Sequence, residues 1–165
     1  MDEATLQRLV DRLAIQDTMT TYAASIDEGD YATLRTVFAD DATAVYDKDS
    51  DLLRGADEIL AWLKDATADL DWQHHMISVY GVEIDGDEAT ALIYLLSHQT
   101  VVGAPHQTRM MTSKYRNRLR RVGDRWRISD LRLQVGWYEQ RDFPQPVTDQ
   151  ASVDPSTTTN EEIPA

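Results

Sequence analysis

The chain reads as an α+β domain, with helices packed on one face of an antiparallel sheet. Three observations predict this. Apolar residues recur at helical spacing through the opening segment. From Trp72 onward the texture changes to long runs of strand character, joined by the turn signals Asp85-Gly86-Asp87 and Gly123-Asp124. Helices come first and strands afterwards, which is the ordering of an α+β fold.

The first helix is carried by Leu6, Leu9, Val10, Leu13, Met19, Tyr22, Ala23 and Ile26. It closes near Glu28-Gly29-Asp30, with Gly29 as C-cap and Asp30 capping a second helix from Tyr31 to Phe38. Ala42 to Tyr46 reads as a short strand, followed by a polar loop from Asp47 to Ser50. A third helix is expected from Ala56 to Ala68, burying Ile59, Leu60 and Leu63. Four long strands follow: Trp72 to Ile84, Glu88 to Val102, Arg109 to Val122 and Arg125 to Tyr138. This places one domain at residues 1–143. Residues 144–165 are poor in large apolar side chains and read as an acidic disordered tail.

At 165 residues the chain is long enough to bury a real core. Its formal net charge is -13, which makes nucleic acid and anionic membranes poor partners. No apolar run approaches the length of a membrane span, and the start lacks signal-peptide character. A cytoplasmic location is the default expectation. With no cysteine there is no disulfide, no thiolate nucleophile and no Cys-based zinc site. Nucleotide-binding loops, dinucleotide fingerprints, nucleophile elbows and HExxH are all missing from the sequence. What remains is proton chemistry without a cofactor.

Two of the four histidines, His75 and His98, fall in apolar strand segments, and Asp27 ends the first helix. Imidazole titrates nearest neutral pH, so it moves protons in both directions. His74 and His75 must face opposite sides of their strand, and alternation alone does not choose between them. His98 either finishes its strand at the surface or points into a wet pocket. Each histidine taken singly also fits a hydrogen-bonded structural role. A negative charge in a helix's last turn opposes the helix dipole, so Asp27 invites another explanation. A metal would need three or four converging ligands, and His75, His98, Asp27 and His74 lack a recognised spacing; no metal is expected. Lys114, Arg116, Arg118 and Arg120 alternate with Tyr115 and Leu119, which assigns the basic residues to a solvated or subunit-contacting outer face.

Ala14-Ile15-Gln16-Asp17, Tyr22, Ile26-Asp27-Glu28-Gly29-Asp30 and Phe38-Ala39-Asp40-Asp41-Ala42 together form a recognisable helical opening. With His74-His75-Met76-Ile77-Ser78, Val82 to Ala89 and Gly123 to Ile128, they resemble the SnoaL-like branch of the nuclear transport factor 2-like superfamily. The similarity is greatest to scytalone dehydratase-like members. It implies a cone-shaped, strongly curved antiparallel or mixed sheet with helices over its concave face. By the same resemblance His75 is the base, Asp27 its carboxylate partner, His98 a second acid–base group, and Tyr22 and Tyr46 phenol donors. Tyr22 stands five residues before Asp27, as a tyrosine does in bile acid 7α-dehydratases.

Two positions depart from the pattern. Ile26 replaces a water-positioning tyrosine, and Tyr115 stands near a family asparagine. Tyr115, Trp137, Trp62 and Met76 are the expected substrate contacts. The implied activity is a cofactor-independent lyase, a dehydratase acting on a small hydrophobic, hydroxylated cyclic molecule of polyketide or steroid type. An isomerase or cyclase with the same base, and a non-catalytic binding domain, are the alternatives. The implied assembly is a homo-oligomer, a trimer by the dehydratase pattern and a dimer by others in the superfamily.

Overall fold

A computed structural model describes residues 2–48 and 50–142. The tail expected from residue 144 lies outside the described residues. Among them are three helices and six strands: α1 (Glu3–Asp27), α2 (Tyr31–Thr36), β1 (Phe38–Val45), β2 (Leu53–Arg54), α3 (Ala56–Ala66), β3 (Leu70–Asp85), β4 (Glu88–Val101), β5 (Ala104–Val122) and β6 (Arg125–Asp142). The strands form one curved, unclosed mixed sheet in the order β2-β1-β6-β5-β4-β3. Only β1 and β6 run parallel among the described pairings. The α+β class holds, with the helices at the N-terminal end of the chain.

Asp2 starts α1 by accepting from the Thr5 amide at 2.7 Å. The buried side of α1 carries Ile15, Met19, Tyr22 and Ile26, spaced at helical turns against the sheet. Leu6, Leu9, Val10 and Leu13 belong to the opposite side and are exposed, which corrects their expected place in the buried stripe. The core-facing position in that half is instead the charged Asp11, and its charge is met. It accepts from Arg121 at 2.8 Å, Trp126 Nε1 at 3.1 Å and Gln7 at 3.2 Å. Arg121 also lies over the Trp126 ring, 4.6 Å from its centroid. This clamp fastens the start of α1 to the β5–β6 hairpin.

Asp30 caps α2 through the Thr33 amide, as expected, but the helix ends at Thr36 rather than Phe38. Phe38 opens β1 because it is fully buried opposite Ile128. The two-residue β2 has no sequence signature, being shorter than any pattern. Gly86 and Gly123 take φ of 59° and 64° at the first turn position of their hairpins, a conformation that side chains with a Cβ resist. β5 begins five residues earlier than expected and β6 runs four further.

Register shifts at Val79/Gly81, Thr112/Ser113 and Arg118/Leu119 interrupt the ladders. Such bulges bend and twist a sheet. The inner face, packed on the helices, carries Ile77, Val79, Ile93, Leu95, Tyr115, Leu119, Ile128 and Leu131. No helix among the described residues is long and apolar enough to cross a membrane.

Candidate active site

β3 is an edge strand of the sheet, so alternate backbone amides along it have no strand partner. The His75 amide is one of these, and the last residue of α1 meets it. Asp27 Oδ2 accepts from the His75 backbone N–H at 2.8 Å, and Oδ1 sits 2.5 Å from His75 Nδ1. Both side chains are largely buried, at 10% and 16% exposure. Holding Nδ1 in this way fixes the ring's orientation and leaves Nε2 as the nitrogen that faces outward from the pair. Gln73, two residues earlier on the same face, donates through Nε2 to the Ile26 carbonyl at 2.5 Å. It ties the end of α1 to β3 beside the pair.

Three buried phenols line up next to it. Tyr22 and Tyr46 share a hydrogen bond at 3.2 Å between their hydroxyls. The Tyr22 ring meets Tyr115 and Phe38 edge-on, each at 5.9 Å. Burial pushes the Tyr22 and Tyr115 phenols well above their ordinary range; the neighbouring phenol and the Asp27 charge push each further. Burial also raises Tyr46, while the hydrogen bond it shares with Tyr22 lowers it. All three therefore remain protonated at working pH and can donate a hydrogen bond. Trp62, on α3, stacks on Tyr46 with ring centres 4.5 Å apart, so it braces that phenol from behind.

The other expected site residues lie on the opposite side of the sheet. His75 pairs with Ser97 across β3 and β4, and Ser97 pairs with Met111 on β5. His98 pairs with His74 and Met110, one residue out of phase. Since neighbouring residues in a strand face opposite ways, His98 belongs to the outer face with His74. The same rule places Met76, 58% exposed, on the outer face. Trp137 is reversed by the bulge at Gly136, which flips the parity of everything after it. It pairs with outward-facing Thr112, while Tyr138 pairs with inward-facing Met111.

Ser97 and Gln73 are the residues that composition and spacing did not single out. Counting from the Gly86-Asp87 turn alone would pair His75 with His98; the bulge at Val79/Gly81 shifts the register by one and brings Ser97 opposite His75. Among the described residues no group of three or more His, Asp or Glu side chains converges as a metal site requires.

Comparison with known proteins agrees with this architecture. The SnoaL-like domain matches residues 7–132. The uncharacterized protein Rv2910c of Mycobacterium tuberculosis is 27% identical over 118 residues, covering 72% of this chain and 80% of that protein. A Novosphingobium aromaticivorans structure assigned as a scytalone dehydratase superposes with a TM-score of 0.74 at 18% identity, covering 84% of this chain and 91% of the other. A hexachlorocyclohexane dehydrochlorinase from Novosphingobium barchaimii gives 0.76 at 19% identity, covering 86% and 99%. These two structures share the fold. With its family match running from the first helix into the last strand, the chain belongs to the SnoaL-like domain family of the nuclear transport factor 2-like superfamily.

Proposed function

We propose that the protein is a cofactor-independent lyase of dehydratase type, acting on a small hydrophobic, hydroxylated cyclic substrate. The observation that carries this is the His75–Asp27 contact at 2.5 Å beside three neutral phenols. His75 Nε2 removes a proton from the carbon next to a substrate carbonyl. Asp27 stabilises the imidazolium that results. Tyr22, backed by Tyr46, donates to the carbonyl oxygen as enolate charge grows there. With His98 on the outer face, the imidazolium itself returns its proton to the departing hydroxyl. A C–H and a C–O bond break, a C=C bond forms, and water leaves. General acid–base assistance of this kind contributes about 10²–10⁴ in rate, and an oriented oxyanion donor about 10²–10³ more.

The test begins with a thermal-shift screen of hydroxylated steroid and polyketide ligands, since a pocket ligand stabilises only the folded state. Turnover of a hit should release a product lighter by one water. His75→Ala should abolish that turnover while the protein stays folded. Normal turnover by His75→Ala would remove the base from the proposal. A second reading, an isomerase or cyclase, draws support from the single inward imidazole, because one base can deliver its proton to another carbon. It predicts a product of unchanged mass.

We also propose a homo-oligomer joined through the outer sheet face, where Met76, Tyr80, Tyr94 and Trp137 are 44–66% exposed.

A further inference from the structure

Buried polar atoms without a protein partner lie on the inner face along β3, β4 and β5, one of them directly opposite His75. Ser97 is 1% exposed and Ser113 6% exposed, and neither Oγ has a hydrogen-bond partner in the protein. Gln73 Oε1 is also buried and unpartnered, although its amide nitrogen is engaged. Strand pairing gathers these atoms. Gln73 and His75 alternate along β3, Ser97 lies directly opposite His75, and Ser113 is inward on β5 opposite Leu95. The His75 amide is spent on Asp27, so His75 and Ser97 form the pair that makes no ladder bonds, the kind whose side chains approach most closely. Leaving a buried polar group unpaired costs about 1–3 kcal/mol. Three such atoms on one face of the sheet, with Ser97 opposite the imidazole, are explained by a ligand that pairs with them.

We infer that the substrate is oxygenated at two or more positions, and that Ser97 binds the substrate oxygen nearest the His75 ring. This rests on the proton-transfer reading of the same site and selects among its substrates. It disfavours a purely halogenated hydrocarbon, which offers no strong partner to these hydroxyls. Ser97 is thus a specificity-determining residue: it discriminates by rejecting ligands that leave its hydroxyl dry.

Equilibrium dialysis of the full chain against naphthalene, 2-naphthol and 2,7-dihydroxynaphthalene tests this without turnover. Each hydroxyl should tighten binding to the wild type by about fivefold, the worth of one net hydrogen bond. Ser97→Ala should lose about one such factor on the two naphthols and none on naphthalene. Ser97→Thr should restore it. Equal binding of all three probes, equal weakening of all three by Ser97→Ala, or no binding of the diol would overturn the inference. A second measurement needs no ligand. Removing an unpartnered hydroxyl should leave the melting temperature of Ser97→Ala equal to or above that of the wild type. A fall of more than about 2 °C would show a bond already present in the free protein, and would also overturn it. Since dialysis reads binding alone, its failure leaves the His75 assignment standing. Hydroxyl-selective binding with no turnover would instead sink the assignment and keep the inference.

Discussion

Asp27 uses its two oxygens for two purposes, one on the His75 ring and one on the His75 backbone. Asp27→Asn keeps the shape but offers one acceptor oxygen in place of two, and it no longer carries the charge that balances an imidazolium. We expect it to reduce turnover by about 10²–10⁴ with little change in melting temperature, measured as kcat beside a thermal scan. Tyr22→Phe should cost about 10²–10³ in kcat while leaving the fold intact, since the ring packing survives. The three raised phenols give a separate handle. Of the seven tyrosines, Tyr22, Tyr46 and Tyr115 should stay neutral in an absorbance titration at pH values where exposed phenols ionise. Their folded-state values lie above the ordinary 10.0, so their contribution to stability is complete below that pH. It is lost progressively above it as the unfolded chain ionises first. Asp27, His75, Tyr22 and Tyr46 were legible as residue types with a family pattern behind them. The outward placement of Met76 follows from alternation with His75, whereas that of His98 and Trp137 depends on the bulges at Val79/Gly81 and Gly136, which no alternating pattern announces.

The clearest example at the scale of elements is α1, whose apolar residues occur on both sides of its first half. Periodicity finds a helix there and cannot say which side is buried. The decision rests on Asp11, whose partners Arg121 and Trp126 are more than a hundred residues away. Burial pulls its carboxyl upward, but the bonds from Arg121, Trp126 and Gln7 outweigh this and hold it below the ordinary value. A lowered folded-state value means that the stabilisation is present above the unfolded carboxylate range and is lost as pH falls through the folded value. Asp11→Ala should therefore destabilise the protein by about 2–3 kcal/mol at neutral pH, with a smaller effect in acid, measured by denaturant unfolding at both. The bulge at Gly136 is another element-level device. One inserted residue exchanges Trp137 for Tyr138 on the inner face, and no alternating pattern in the sequence announces it.

Across the whole molecule, the sheet divides the chain's chemistry into two surfaces. The inner face carries the imidazole, the carboxylate and the phenols. The outer face carries the exposed aromatics together with Arg116 and Arg118, and a groove of about 880 Å³ lined by Thr43, Glu83, Asp130 and Arg132 among others. If the outer face joins copies as proposed, light scattering should report a trimer. Tyr94→Glu should then shift it toward monomer without touching the inner face. The α+β class and the hairpins were legible because each hairpin is local and carries its own turn signal. The joining of β1 to β6 was not, because that pairing is carried by tertiary packing alone. It sets Phe38 opposite Ile128, so an early strand finds its neighbour only in the last one. During synthesis, β1 and β2 have no sheet to join until β6 has left the ribosome. Any nascent chain halted before that point keeps Phe38 and the rest of β1 without the strand that would cover them.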